Sequence, residues 1–291
     1  MSVSYGVMFR RNFEPEGLPD FARQVEAAGF DELWVVEDLG FHGGFSQSVA
    51  ALAMTERITV GLGIAPAVAR NAAFLAMEWA TTAHLFPGRF HLGLGHGVDT
   101  WIAQVGATPT SWLGSIEEVT VAARRIVAGE RVSMSGGHVH LDEVELLFPV
   151  SGTQPAISFG VRQPKSIALG ARVADGIILA ECSGPRYIAE TRAAIGPDKR
   201  LTVFINATTD VDAARHEIDT RIAQGRFASQ MRLYDGSGID LTHELTICGD
   251  PSTWREQSQR IADAGADSVV WVPLLTDSPN VLGDYVRALA G

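Results

Sequence analysis

The stretch Glu26-Ala27-Ala28-Gly29-Phe30-Asp31 runs into Leu33-Trp34-Val35-Val36. The same pattern returns as Ala262-Asp263-Ala264-Gly265-Ala266-Asp267 ahead of Val269-Val270-Trp271-Val272. A third relative, Ala171-Arg172-Val173-Ala174-Asp175-Gly176, precedes Ile177-Ile178-Leu179. Each reads as the end of a helix, a glycine turn and a short apolar strand. Glycine takes up the left-handed conformation that ends helices. Apolar strands without polar alternation belong to parallel sheets covered on both faces. A repeated αβ unit with right-handed crossovers predicts a parallel sheet wrapped by helices.

Working outward from these units, strands are predicted at Ser4–Phe9, Glu32–Val36, Ile58–Ile64, Phe90–Leu94, Ala156–Gly160, Gly176–Leu179, Leu201–Ile205 and Ser268–Val272. Helical patterns lie between them at Leu18–Ala28, Asn71–Leu85, Ser115–Ala128, Lys165–Val173 and Pro251–Ala264. Eight strand–helix units in 291 residues predict an α/β fold, a (β/α)8 TIM barrel forming one domain over 1–291. Two stretches depart from the unit and read as insertions. Arg131 to Pro149 alternates like a hairpin around Ser135-Gly136-Gly137, and Gly225 to Thr242 is irregular.

Composition removes several functional classes. With 46% hydrophobic and 20% charged residues the chain reads as globular, and its formal charge of −11 opposes a nucleic-acid or anionic-membrane surface. The longest stretches lacking Asp, Glu, Lys and Arg, 39–55 and 100–116, are rich in small and polar residues, so no membrane span is expected. Arg10 and Arg11 have no apolar run behind them, which reads as the absence of a signal peptide. Cys182 and Cys248 stand far apart, which suits a reducing, cytoplasmic setting. The sequence has no GxSxG elbow, no Walker loop and no GxGxxG after its first strand, which sets aside hydrolase, NTPase and Rossmann readings.

In such a barrel, function sits on the loops after the strands' C-terminal ends. Those loops carry Glu37, Asp38, Phe41 and His42 after strand two, and Gly63 to Asn71 after strand three. Gly95-His96-Gly97 follows strand four, Gly160 to Lys165 strand five, and Glu181-Cys182-Ser183 strand six. Gly95 and Gly97 admit two readings, a tight turn or a close backbone approach to a flat or phosphorylated ligand. Asn71 reads as a helix N-cap. Arg70 before it puts positive charge where the helix dipole disfavours it. It is either a solvated surface residue or an anion clamp, and Arg162 and Lys165 admit the same two readings. His42 and His96 are the histidines placed for proton transfer. His138-Val139-His140 has the form of a metal motif but lies in the hairpin insertion without an acidic or cysteine cluster, so no metal is expected.

The run Phe86-Pro87-Gly88-Arg89-Phe90-His91-Leu92-Gly93-Leu94-Gly95-His96-Gly97 resembles the luciferase-like flavin/deazaflavin oxidoreductases. So do Ala28 through Trp34, Arg57 through Gly61, Pro164-Lys165 through Gly176, and Gly249-Asp250-Pro251, in the family's order and over nearly the whole chain. The branch most resembled is that of methylenetetrahydromethanopterin reductase. The resemblance implies a barrel with insertions, a homodimer, a small-molecule substrate and hydride transfer with the deazaflavin coenzyme F420. FMN with oxygen activation, and a flavin-binding barrel without turnover, are the alternatives. The cofactor site it implies comprises Asp38, Gly63, Ile64, Ala65, Arg70, Gly95, His96, Gly97, Gly160, Val161, Arg162 and Gln163. Amides of Val161 to Gln163 would meet the phosphate, and a cis peptide would join Gly63 to Ile64. Where several members have Asp-His, this chain has Asp38-Leu39, and where some have an acid after Gly-x-Gly it has Val98. Sugar-phosphate oxidation is therefore not implied.

Overall fold

A computed structural model describes residues 3–225 and 227–290. Eight strands run in parallel: β1 (Ser4–Met8), β2 (Glu32–Val35), β3 (Thr59–Pro66), β4 (Phe90–Gly95), β5 (Ala156–Gly160), β6 (Gly176–Leu179), β7 (Arg200–Thr208) and β8 (Ser268–Val272). Each pairs with the next, and β8 returns to β1 to close a (β/α)8 barrel. Around it lie α1 (Leu18–Ala27), α2 (Gly44–Ala53), α3 (Ala72–Leu85), α4 (Trp112–Val127), α5 (Pro164–Val173), α6 (Pro185–Ile195), α7 (Val211–Ala223), α8 (Trp254–Asp263) and α9 (Leu282–Ala290). Helix α1 shows why these segments coil: Leu18, Phe21, Ala22 and Val25 recur at helical spacing and form its buried stripe.

Several boundaries differ from the sequence reading. Strands β3 and β7 each run beyond their expected ends, to Pro66 and Thr208, and Pro251–Thr253 forms a 3-10 turn ahead of α8. A three-residue strand, Thr246–Cys248, pairs with the end of β7 and had no sequence signal of its own. The Arg131–Pro149 stretch holds a hairpin of Val132–Ser135 and His140–Val144, fastened to α4 by Glu118, which accepts the N–H groups of Gly137, His138 and Val139. The 225–242 stretch contains a short helix at Ala228–Met231, and Arg226 within it lies outside the described residues.

The repeated unit has a physical basis that lies in its aspartate. Asp31 Oδ2 accepts the Tyr5 N–H at 2.8 Å, its own N–H donates to the Tyr5 carbonyl, and its carbonyl accepts from Thr59. Asp175 does the same with Ile157 and Arg200, and Asp267 with Leu201 and Ser4. Each aspartate thus ties the entry of its own strand to both neighbours. Gly29 and Gly265 have φ of 91° and 115°, as a left-handed helix stop requires. The third unit turns differently. Ala174 is extended, and Gly176 is the first residue of β6, where a Cβ would strike the Arg200 carbonyl.

The barrel interior is plugged by large side chains set against missing ones. Trp34 is fully buried, and a Cβ on Gly61 or Gly63 would collide with its ring. Phe204 and Ile178 fill the space left by Gly63 and Gly93 in the same way. Below them several polar side chains are cross-linked, although Arg200 Nε and Thr202 Oγ1 are buried without a partner. Glu32 accepts from Trp34 Nε1 at 2.7 Å, from Ser268 Oγ at 2.9 Å and from Arg200, while His91 Nε2 meets Ser158 Oγ at 2.7 Å. These interactions cross-link the strands in the N-terminal half of the barrel interior.

Candidate functional site

A cavity of about 1520 Å³ opens at the C-terminal ends of the strands, with Met8 and Phe204 in its floor. It exceeds the ~300–1,000 Å³ of ordinary small-molecule pockets. Every site residue expected from sequence lines it except Ala65, which is 1% exposed and sits behind the β3 exit. Lys165 is exposed and also lies outside the lining. A smaller cavity of about 860 Å³ lies at the opposite end, where Glu32 and His91 are already hydrogen-bonded within the barrel network.

Where β3 meets the mouth, the peptide joining Gly63 and Ile64 is cis, as the resemblance implied, and the pairing of β3 with β4 shifts register between Leu62 and Ala65. Ile64 then reaches across the mouth. A Cβ on Gly160 would overlap its Cδ1, and one on Gly95 would come within 2.9 Å of its Cγ2. Both glycines are therefore required by Ile64 before any ligand is considered. Gly97 differs: its φ of 77° is left-handed, and Pro66 and Ile102 would crowd a side chain at 3.0 Å.

Arg70 departs from its expected character. Asn71 does cap α3, accepting the Ala73 N–H at 2.9 Å. Arg70, however, is not left against the helix dipole without a partner. It holds Glu37 through two bonds of 2.5 and 2.7 Å, reaches Glu78 at 3.0 Å and lies over the Phe45 ring. Glu37 also accepts the Gly44 N–H at the start of α2. The arginine is a bracket between the loops after β2 and β3. Sequence reasoning missed it because its partners are 33 and 8 residues away.

The other cationic groups of the mouth fall into two kinds. Arg11 pairs with Asp38 at 2.7 Å, and Arg10 with Glu181 at 3.0 Å. Arg221 pairs with Glu217 at 2.6 Å and approaches Glu181 at 3.9 Å. Burial alone would push the Glu181 carboxyl up, but Arg221 and Arg10 outweigh it and hold it down at about 2. Arg162 is the exception. Its guanidinium lies 4.5 Å over the Phe227 ring, and among the described residues no carboxylate pairs with it. Burial lowers its pKa, as expected for a cation losing water without a bonded counter-charge. It stands just before α5, whose N-cap Gln163 makes no side-chain cap bond.

The two candidate histidines both line the cavity. His42 Nε2 lies 3.2 Å from the Phe13 carbonyl. A carbonyl only accepts, so that nitrogen carries the proton and Nδ1 is the proton-accepting atom. His96 Nε2 meets Ser166 Oγ at 3.2 Å, while its Nδ1 is buried without a partner. Burial lowers the His96 pKa, with Asp99 opposing, so the ring is neutral near pH 7. Glu181 was named with its loop but given no role, and Arg10 and Arg221 were not read as part of the site. The signal available was an acid directly after strand six, but its two arginines come from distant parts of the chain, the loop after β1 and helix α7.

A closed (β/α)8 barrel with a large mouth lined by apolar side chains and a few charged ones defines a small-molecule site of the barrel-enzyme type. Residues 5–268 match the model of the luciferase-like monooxygenases, and the chain belongs to that family of enzymes. It is 24% identical to a 5,10-methylenetetrahydromethanopterin reductase from Methanolobus tindarius, over 92% of this chain and 93% of that protein. It is 30% identical to an F420-dependent hydroxymycolic acid dehydrogenase from Mycobacterium tuberculosis, over 97% and 85%. Among solved structures, an F420-dependent secondary alcohol dehydrogenase carrying an F420-acetone adduct shares the fold with a TM-score of 0.81, at 16% identity over 100% of this chain and 98% of that one.

Proposed function

We propose that this chain is an oxidoreductase that binds the deazaflavin F420 at the barrel mouth and moves a hydride between it and a small organic substrate. The observation that carries the reading is Arg162, a half-buried cation without a carboxylate partner beside the uncapped start of α5. An anion at that place would restore the charge balance that the other mouth arginines already have. The buried, unpartnered Nδ1 of His96 is a second vacancy in hydrogen bonding that a bound ring could fill.

When bound, the deazaflavin supplies the carbon that takes or gives the hydride. The chain's own residues do the rest. Arg162 and the amides of Val161 to Gln163 hold the phosphate, with the first turn of α5 behind them. Ile64, wedged over Gly95 and Gly160, gives the ring an apolar wall. His42, with Nδ1 as acceptor, is placed to take the substrate's proton. Arg70 acts as a bracket for the mouth, because Glu37 and Glu78 already neutralise it.

The purified protein titrated with F420 and with FMN, following the fluorescence of each, tests this. F420 should bind, and Arg162→Gln should weaken it about tenfold or more, since a charge-assisted bond is worth roughly 1.5–3 kcal/mol. Tight FMN binding with no F420 affinity would replace this reading by the monooxygenase one that the family's name carries. The homodimer implied by the resemblance has a candidate surface in exposed Phe74, Met77 and Leu85 of α3 beside Leu147 and Phe148, and light scattering would weigh it. The free Cys182 and Cys248 accord with a cytoplasmic setting. Among the described residues no helix is long and apolar enough to cross a membrane.

A further inference from the structure

The cavity has two unlike poles. One is Arg162 with the start of α5. The other is apolar: the loops after β2, β4 and β8 present Leu39, Phe41, Val105 and Leu275, which are 43%, 48%, 55% and 40% exposed and all line the mouth. Large apolar side chains held this open to water at the rim of a pocket mark a surface that something apolar covers. The rim is also joined into one wall. Arg11, from the loop after β1, lies 5.0 Å from the Phe41 ring and 5.7 Å from that of Trp101. Asn12 Nδ2 donates to the Leu275 carbonyl at 3.1 Å.

The charge on this wall is settled without a ligand. The two cations of the loop after β1 in the lining are both paired, Arg11 with Asp38 at 2.7 Å and Arg10 with Glu181 at 3.0 Å. Asp99, in the same segment after β4 as Trp101 and Val105, also lines the cavity and pairs with no cation among the described residues, so these loops carry a net negative charge. A phosphate or carboxylate group here would find no free cation and would meet like charge. An aliphatic or aromatic group would find four side chains and the Trp101 face.

We infer that the substrate is an uncharged molecule with a sizeable apolar part, seated against Leu39, Phe41, Val105 and Leu275, and not a sugar phosphate or an organic acid. This rests on the proposed function, since it gives Arg162 to the cofactor and the apolar part of the lining to the substrate.

The test uses the protein and a series of uncharged probes, 2-butanone, 2-hexanone, 2-octanone and 2-decanone, with glucose 6-phosphate as the charged one. Binding is followed by tryptophan fluorescence, with Trp101→Phe identifying the reporting residue, and F420 binding is measured separately by its own fluorescence. Affinity should tighten by up to about fourfold per added CH2. Val105→Ser with Leu275→Ser, both at exposed positions, should flatten the series while leaving F420 affinity unchanged. Glucose 6-phosphate should give no saturable signal. F420 binding with a flat ketone series, or with glucose 6-phosphate bound as well as the ketones, overturns the inference and leaves the cofactor reading standing. A steep ketone series without F420 binding supports the apolar wall and removes the cofactor reading.

Discussion

Replacing Glu181 with glutamine tests the electrostatics of the mouth directly. The carboxylate is 16% exposed and lies between Arg10, itself 7% exposed, and Arg221. Its folded-state pKa is about 2 against an ordinary 4.5. At ~1.4 kcal/mol per pH unit that gap amounts to about 3 kcal/mol of stability. The figure agrees with the roughly 3–5 kcal/mol lost when one partner of a buried pair is removed. Because the folded value is depressed, this stability is present above pH 4.5 and is lost as pH falls toward 2. Glu181→Gln should therefore unfold about 3 kcal/mol more easily in urea at pH 7. For a chain of this length that corresponds to a melting temperature lower by about 5 °C. The difference from the parent should shrink through pH 4 and nearly vanish near pH 2, where the parent has taken up the proton itself. A deficit under 1 kcal/mol at pH 7, or one that stays constant down to pH 3, would refute the assignment.

Substitutions at Gly160 with Ile64, at Asp267 and at His91 probe the frame of the barrel. Gly160→Ala should cost about 1–3 kcal/mol by overpacking Ile64. Adding Ile64→Ala should recover part of it, and thermal melts of the two single variants and the double variant would reveal that coupling. Asp267→Ala leaves the Leu201 N–H without its acceptor and should cost roughly 1–3 kcal/mol, whereas Asp267→Asn, which keeps an oxygen, should cost less in urea titrations. His91 is held near pKa 3 by burial, with Arg200 adding to the effect, against an ordinary 6.5. Stability should therefore fall as pH drops below 6.5. Urea midpoints should show the parent losing about 2 kcal/mol more than His91→Gln between pH 6.5 and 5.

The fold was legible because its signals are local. A helix end, a turn and an apolar strand fit within a dozen residues, and three copies at 26–36, 171–179 and 262–272 pointed to one architecture. The function of the aspartate in each copy was not legible, since the amides of Tyr5, Ile157 and Leu201 are 18 to 66 residues away. The loops after the strands were expected to gather at one end and they line one cavity, because position after a strand is a topological property. Charge pairing within that set was not legible. Nothing near Arg70 in sequence indicates Glu37, and nothing near Arg162 indicates that, among the described arginines of the mouth, it lacks such a partner. Ala65 shows the same limit at the scale of one residue, since membership of a lining loop does not determine which way each side chain faces.

The three aspartate ties also divide the circumference of the barrel unequally. Asp31 locks the seams β1/β2 and β2/β3, Asp175 those of β5/β6 and β6/β7, and Asp267 those of β7/β8 and β8/β1. Six seams are keyed at their entry. The two flanking β4 have no such key, and the register slip at Leu62 and Ala65 falls on one of them. A frame pinned on most of its perimeter can tolerate irregular pairing at the remaining seams without passing the slip around the ring. The mouth glycines Gly95 and Gly160 end the two strands that meet at one of those unkeyed seams, and Ile64 leans across both. Insertions or deletions introduced to reshape the pocket should accordingly be absorbed along β4 and rejected along β2, β6 or β8, where a single residue would pull an aspartate away from two strands at once.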